Sequence, residues 1–99
     1  MKTLNLFLLF FFLYSPNILL AGEGAFIKAT KSIDVVIDAE FVGENSFFMV
    51  VKRLPGMDWN EMAETMCKGK KNFGLGWKTF GITVWEGKKK VGKAYCKRD

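Results

Sequence analysis

One segment in the middle of the chain has the spacing of a helix that is buried along one side. Its apolar residues lie three and four positions apart and are Trp59, Met62, Ala63, Met66 and Cys67. A continuous stripe of this kind is typical of a helix that packs against a core. Asp58 precedes the stripe as an N-cap, and Glu61 completes a capping box. Because Gly69 supplies a stop, the sequence predicts one helix between Asp58 and Gly69.

The segments before this helix alternate between apolar and polar side chains, which is typical of half-buried strands. The face of the first strand that we expect to be buried consists of Ile33, Val35, Ile37, Ala39 and Phe41. Its opposite face would consist of Asp34, Val36, Asp38 and Glu40. A turn at 43–45 separates it from a second strand, whose buried face would consist of Phe47, Met49 and Val51. These segments predict a hairpin.

A second hairpin is predicted after the helix. Its first strand has Phe80, Ile82 and Val84 on one face, and its last strand has Gly92, Ala94 and Cys96 on one side. The small residues Gly92 and Ala94 would leave room for Trp59 or Met62 of the helix. The predicted fold is therefore a small α+β domain of order ββαββ, with a mostly antiparallel four-stranded sheet and one helix packed on one face.

The two cysteines, Cys67 and Cys96, lie in the helix and in the last strand. A chain this short is near the lower limit for a core that is stable by itself. In an oxidising compartment such a pair is expected to form a disulfide. Closing this loop would stabilise the fold by about 3–4 kcal/mol in the chain-entropy model.

The amino terminus has the pattern of a secretory signal peptide. Lys2 is followed by the apolar run LNLFLLFFFLY and then by SPNILLAG. We expect residues 1–21 to be the signal peptide and residues 22–99 to be a single small secreted domain. Cleavage after Ala21 fits best, with Gly22 and Gly24 as alternatives. Polar residues and Pro16 interrupt the run, which argues against an uncleaved membrane span. The predicted location is therefore periplasmic or extracellular.

Charge is distributed unevenly along the predicted mature chain. Residues 22–67 hold four basic and eight acidic side chains, a net charge of −4, whereas residues 68–99 hold ten basic and two acidic ones, a net charge of +8. Three of these lysines, Lys68, Lys70 and Lys71, surround the end of the helix, where positive charge is favourable. Such asymmetry favours anionic partners, such as an envelope component or an acidic protein patch, without selecting among them.

The amino-acid composition excludes most common catalytic mechanisms. The chain contains no His, which excludes the usual His base and the usual catalytic triads. The one candidate pair of carboxylates is Asp38 and Glu40, at about 7 Å on one strand face, within the range that glycosidases use. A polar outer strand face explains the same residues, so we expect a non-enzymatic protein and keep a carboxylate-dependent hydrolase as a minor alternative.

A soft-metal site is a second alternative. Met62, Met66 and Cys67 lie close together on the helix, and thioether and thiolate ligands select Cu(I). The same residues form the stripe that the helix must bury, and Met commonly fills gaps in cores. A disulfide at Cys67 would remove the thiolate. We therefore expect no cofactor and retain a periplasmic Cu(I)-binding protein as the runner-up.

The basic last hairpin is the leading candidate for a binding surface. Lysines flank aromatic residues there on the sheet face away from the helix, an arrangement suited to anionic partners. The residues predicted to bind a partner are Trp85, Lys88, Lys89, Lys90, Lys93 and Tyr95. Edge-strand lysines that prevent aggregation would give the same pattern. The sequence thus predicts an exported interaction protein, an inhibitor or adaptor, without specific recognition of nucleic acid. Trp77, on the glycine-rich loop 73–77, is either a core anchor or an exposed contact.

Overall fold

The computed structural model describes residues 22–98, and the predicted signal peptide at 1–21 lies outside the described residues. Two α-helices, a short 3-10 helix and four strands follow one another along the chain. In order they are α1 (Glu23–Lys31), β1 (Val36–Phe41), β2 (Ser46–Val51), α2 (Trp59–Gly69), the 3-10 helix (Lys70–Phe73), β3 (Phe80–Glu86) and β4 (Lys89–Cys96). The fold is thus an α+β domain, as predicted.

The four strands form one mixed sheet in the order β1-β2-β3-β4. The outer pairs, β1 with β2 and β3 with β4, are antiparallel, whereas β2 and β3 are parallel. Parallel pairing of two consecutive strands requires a crossover, because the chain must return to the edge at which β2 began, and α2 with the 3-10 helix provides it. The prediction of a mostly antiparallel sheet did not anticipate this central parallel pair.

Both helices pack on the same face of the sheet. α1 contacts β1, and α2 contacts β4 and β3. The core between the layers is rich in Phe, with the fully buried Phe26 of α1 at its centre. Its ring makes edge-to-face contacts with Phe47, Phe73 and Phe80 at centroid distances of 5.0, 5.7 and 5.8 Å. Such aromatic pairs stabilise a core beyond the area that they bury.

Helix α1 corrects the prediction of a single helix. Its residues Phe26, Ala29 and Thr30 are buried together with Ile33 just beyond it. These positions lie three, four and seven residues apart, which is helical spacing. The signal was therefore in the sequence, but Gly24 and the β-branched Ile27 weaken the intrinsic helix propensity of this segment. Packing against the sheet is what stabilises it.

A β-bulge in β1 also corrects the predicted strand faces. The pairing with β2 shifts between Val36 and Asp38. Val36 is buried and Ile37 is 59% exposed, the reverse of the prediction from simple alternation. An extra residue in one strand exchanges the faces on either side of it. Beyond the bulge, Ala39 points inward as predicted.

The predicted N-cap, buried stripe and disulfide of α2 are confirmed. Asp58 caps the helix by accepting a hydrogen bond from the Glu61 amide at 3.0 Å, and the stripe residues Trp59, Met62, Ala63 and Met66 are buried. Cys67 forms a disulfide with Cys96 of β4. Gly92 lies directly under Trp59, as its small size predicted. The disulfide and this close approach fix α2 onto the edge strand of the sheet.

Two lysines are buried. Lys70, which follows the end of α2 as predicted, is 1% exposed, and its ammonium donates hydrogen bonds to the carbonyl oxygens of Leu75 and Gly76 at 3.1 and 2.8 Å. Lys78 contacts the carbonyl oxygen of Glu44 at 2.9 Å and the carboxylate of Glu23 at 3.1 Å. Both lysines thus hold irregular chain segments by their ammonium groups.

We expect Lys70→Met to destabilise the domain. The change removes the donor of two buried hydrogen bonds and leaves the Leu75 and Gly76 carbonyls without it. Losing such a donor costs about 1–3 kcal/mol, measurable by urea unfolding. The control is Lys71→Met at the adjacent, exposed position, for which we expect a change within about 0.5 kcal/mol. Equal stability of the two variants would contradict the role given to the Lys70 ammonium.

Candidate functional site

The sheet face opposite the helices is the surface on which the predicted site residues meet. We call it the open sheet face, since neither described helix packs on it. Its residues are exposed or half-buried, and the strand register aligns them. They are Asp38 and Glu40 from β1, Phe48 and Val50 from β2, Thr83 and Trp85 from β3, and Lys90, Lys93 and Tyr95 from β4.

The centre of the open sheet face is apolar. Phe48 and Val50 of β2 are half-buried, and so is Trp85 of β3. The rings of Phe48 and Trp85 lie 6.3 Å apart in an edge-to-face arrangement. The indole nitrogen of Trp85 is buried and has no hydrogen-bond acceptor among residues 22–98. The part of the Trp85 ring that remains exposed is apolar, and large aromatic rings of this kind contribute much of the contact area in interfaces.

The β4 side of this face is basic. The ammonium of Lys90 lies 6.0 Å from the ring centroid of Trp85, within the range of a cation–π contact. A bulge between Val84 and Trp85 places Lys90 opposite Trp85. Lys93 is exposed, and Tyr95 is 64% exposed. The structure therefore brings Trp85, Lys90, Lys93 and Tyr95 onto one surface.

The other two predicted lysines lie at the end of the hairpin. Gly87 and Lys88 form a two-residue turn, in which Gly87 has a φ of +63°, a backbone conformation that favours glycine. Lys89 begins β4 and pairs with Glu86. The turn is thus limited to these two residues, because Lys89 and Lys90 belong to β4. Both lysines of the tip, Lys88 and Lys89, are exposed.

The β1 side of the same face is acidic. Asp38 and Glu40, the residues considered as a carboxylate pair, are both exposed. Together with Phe48, Val50 and Trp85 they line a depression of about 220 Å³. Asp38 accepts a hydrogen bond from the Ala39 amide at 2.9 Å and lies 3.4 Å from the ammonium of Lys31. The two carboxylates therefore border the same apolar centre as the lysines of β4, on its other side.

Phe48 and Val50 were missed as site residues, and Asp38 and Glu40 were considered only as a carboxylate pair. Phe48 and Val50 lie between the inward residues Phe47, Met49 and Val51, so β2 is apolar on both faces. A continuous apolar strand is typical of a central position in a sheet whose two faces are both covered. The run of apolar residues in β2 was the signal in the sequence that this strand places apolar side chains on both faces of the sheet. Periodicity alone could not show that β1 lies two strands from β3.

The residues of the alternative copper site lie in the protein interior. Met62 and Met66 are 2% and 1% exposed and belong to the core between α2 and the sheet. Cys67 is bonded to Cys96. No group of three His, Cys, Asp or Glu side chains within residues 22–98 is arranged to hold a metal ion. The stripe of α2 thus acts in packing, and its sulphur atom at Cys67 is part of a disulfide.

Trp77 lies on the surface rather than in the core. Its side chain is 61% exposed, and the ammonium of Lys78 lies 5.5 Å from its ring centroid. It borders a cleft of about 390 Å³ with Glu44, Asn45 and Thr79. The question that the sequence left open is therefore answered in favour of an exposed residue. Lys78 is engaged by Glu23 and Glu44, so this cleft contains no unpaired ammonium from that residue.

Residues 22–98 thus form a two-layer α+β domain, and the sheet face that their helices leave open is acidic at one edge and basic at the other. No protein-family model matches the chain, and no curated protein or solved structure is significantly similar to it. Within residues 22–98, no helix has the length and apolar character that crossing a membrane would require. Function must therefore be argued from the geometry of the open sheet face itself.

Proposed function

We propose that the protein is a small exported, non-enzymatic interaction protein that binds an anionic or acidic partner through the open sheet face. The observation that carries this proposal is the apolar centre of Phe48, Val50 and Trp85 beside the exposed Lys90 and Lys93. Apolar residues at the centre of a patch with polar residues at its rim are the usual anatomy of a protein interface. Lysines at the rim attract an acidic partner and orient it.

Export is supported by the Cys67–Cys96 disulfide, since such bonds persist in oxidising compartments. Contacts at the start of the described chain support cleavage after Ala21. The Gly22 amide donates to the carbonyl oxygen of Phe73, and the Glu23 carboxylate pairs with Lys78. Cleavage after Gly24 would remove both contacts. A mature chain that begins at Gly22 retains them, in a periplasmic or extracellular location.

The role of an inhibitor or adaptor fits the size and shape of the domain. The surface is a face rather than a deep cleft, and its polar groups lie at the two edge strands. A partner that covers this face would remove the exposed part of the Trp85 ring from water. Buried aromatic anchors of this kind carry much of the binding energy in protein interfaces. Trp85 is therefore the residue that we expect to contribute most to binding.

Reversing the charge of the basic hairpin is expected to abolish binding to polyanions without unfolding the domain. The variant carries Glu at Lys88, Lys89, Lys90 and Lys93, all of which are exposed. Attraction to an anionic surface is about 1 kcal/mol for each lysine near it. Losing four lysines should therefore weaken binding to phosphatidylglycerol vesicles or immobilised heparin by about 4 kcal/mol, a factor of about 1,000. Circular dichroism and thermal unfolding establish that the variant is folded.

A control variant separates the position of the charges from their number. It carries Glu at four exposed basic residues that lie outside the strands: Lys28, Arg53, Lys68 and Lys71. Both variants change the net charge by the same amount, so a loss confined to the hairpin variant locates binding on the open sheet face. Equal losses in the two variants would indicate attraction by net charge alone. Either that result or unchanged binding by the hairpin variant would contradict polyanion binding at the open sheet face.

A further inference from the structure

The open sheet face carries opposite charges on its two edge strands, and the strand register arranges them in rows. Each row runs across all four strands from an acidic side chain to a basic one. The first row consists of Asp38, Val50, Trp85 and Lys90, and the second consists of Glu40, Phe48, Thr83 and Lys93. Both rows thus have a carboxylate at the β1 end and an ammonium at the β4 end.

These opposite charges are too far apart to neutralise one another within one molecule. Adjacent strands lie 4.7–4.9 Å apart, so β1 and β4 are separated by about 14 Å. In the described part of the chain, Glu40 and Lys93 form no ion pair. Asp38 pairs with Lys31, but both side chains are more than half exposed in that contact. The face therefore presents an acidic edge and a basic edge to a partner.

A third row has apolar residues at its two ends. Val42 follows Glu40 on the same side of the chain, and its amide donates to the carbonyl oxygen of Ser46 at 2.8 Å. Ser46 pairs with Gly81, and Gly81 pairs with Tyr95. The terminal side chains Val42 and Tyr95 are 43% and 64% exposed, whereas the two residues between them are small. When one copy of this row is laid over another in the reverse direction, Val42 faces Tyr95 and the small residues Ser46 and Gly81 face each other.

We infer that the acidic partner of the open sheet face is the same face of a second copy of this chain. This inference rests on the proposed function, because it names the partner of that same surface. A twofold axis parallel to the strands reverses the strand order and keeps each row opposite itself. β1 then lies over β4 of the second copy, and β2 lies over β3. Aligned sheets pack in this way at about 10 Å, as in β-sandwiches.

In this arrangement every row meets a complementary row. Lys90 faces Asp38 of the second copy, and Lys93 faces its Glu40. Val50 covers the Trp85 ring across the interface, and Tyr95 meets the exposed Val42. Each contact occurs twice, as the symmetry of an isologous interface requires. The apolar centres are removed from water while the four charged pairs lie at the rim, where charge sets orientation.

Charge also selects this orientation over the other face-to-face pairing. A twofold axis perpendicular to the strands would place β1 over β1 and β4 over β4. Asp38 and Glu40 would then meet carboxylates, and Lys90 and Lys93 would meet ammonium groups, which is repulsive. An unrelated partner would need an acidic edge and a basic edge at the same separation and in the opposite order. The chain's own surface meets that requirement without further assumptions.

The test uses two variants, each with one kind of charge on the face. The acidic variant carries Lys90→Glu and Lys93→Glu, and the basic variant carries Asp38→Lys and Glu40→Lys. We expect the wild-type protein to sediment as a dimer and each variant alone to dimerise at least about tenfold more weakly, because like charges then face each other. An equimolar mixture should recover the dimer, since the acidic face of one variant complements the basic face of the other.

A second pair of variants keeps the test independent of Asp38, which also accepts a hydrogen bond from Ala39. Glu40→Lys and Lys93→Glu, alone and mixed, should repeat the loss and the recovery. A wild-type protein that sediments as a monomer at all accessible concentrations would overturn the inference. Dimers that persist in both single-sign variants, or a mixture of folded variants that stays monomeric, would overturn it as well.

The same variants separate this inference from the proposed function. The basic variant retains Lys88, Lys89, Lys90 and Lys93, so its binding to phosphatidylglycerol vesicles or heparin should be at least as strong as that of the wild type. A monomeric wild type whose hairpin variant no longer binds polyanions would overturn self-association alone. A dimer with charge-swap recovery, together with unchanged polyanion binding by the hairpin variant, would support self-association and contradict only recognition of a polyanionic partner.

Discussion

Removing the Cys67–Cys96 bond is expected to lower the free energy of unfolding by about 3–4 kcal/mol. The bond joins residues separated by 29 positions, and a cross-link over this length restricts the unfolded chain in proportion to the logarithm of the loop. For a domain of this size such a loss is a large part of the total stability. The double variant Cys67→Ser, Cys96→Ala should therefore unfold at markedly lower urea concentration.

The two replacements differ because the two sites differ in burial. Cys67 is half-buried, whereas Cys96 is fully buried. A hydroxyl at position 96 would have to find a partner in the interior, and a buried polar group without one costs further stability. Alanine avoids this effect. The measured change then reports the bond rather than a new defect in the core.

Reduction of the wild-type protein is the control for the substitutions. A reducing agent opens the same bond and leaves all side chains in place, so the two unfolding midpoints should agree closely. A double variant that retains the stability of the oxidised wild type would contradict the role of the bond. The bond also holds β4 against α2, and β4 supplies Lys90, Lys93 and Tyr95. Binding through the open sheet face should therefore weaken on reduction at temperatures where the domain begins to unfold.

The elements that were predicted well are those whose signals are local and redundant. Helix α2 combines an N-cap at Asp58 with an apolar stripe at helical spacing, and both were read correctly. Gly69 is its last residue, but it keeps helical dihedral angles, and the chain continues through the 3-10 helix to the left-handed Gly74. Strands β2 and β3 alternate between inward and outward residues, and β4 does so from Gly92 to Cys96, beyond its bulge. The pairing of Cys67 with Cys96 followed from there being only two cysteines in the chain. Agreement among independent local signals is what makes a sequence specify its structure.

The elements that were missed depend on contacts between distant segments. Helix α1 is held by the packing of Phe26 against the sheet, while its intrinsic propensity is weak. The bulge in β1 lies within Val35, Val36 and Ile37, three consecutive apolar residues that fit either register. Strand order has no periodic signal at all. The β4 part of the open sheet face was therefore predicted, because local alternation shows which side chains of β4 share a face. The β1 part was not, because alternation does not give the position of β1 in the sheet.

The burial of Lys70 was also not predicted from the residue type or from its place after a helix. A lysine after a helix is ordinarily solvated, and its charge favours the helix end. Here the chain turns through the 3-10 helix at Lys70–Phe73, and the carbonyl oxygens of Leu75 and Gly76 come within reach of the ammonium. The glycines that allow this loop were visible in the sequence, but the enclosure of the lysine results from the loop as a whole.

Gly92→Ala is expected to destabilise the domain by about 3 kcal/mol, at the upper end of the range for overpacked cores. A Cβ atom at position 92 would lie 2.6 Å from the Cβ of Trp59, 2.9 Å from its carbonyl carbon and 3.1 Å from the amide nitrogen of Asn60. Two of these atoms belong to the backbone of α2, so no side-chain rotation relieves the overlap. The helix would have to move away from β4, to which the disulfide attaches it.

The matched control is Gly81→Ala on the neighbouring strand. Its added Cβ meets only the carbonyl oxygens of Ala94 and Asn45, at 3.9 and 4.0 Å, which is ordinary van der Waals contact. Because alanine restricts the unfolded chain more than glycine does, this variant should be unchanged in stability or stabilised by up to about 1 kcal/mol. Urea unfolding of both variants measures the difference. Equal stability of Gly92→Ala and the wild type would mean that α2 does not lie against β4 at this distance. That result would also contradict the assignment of one covered and one open face of the sheet.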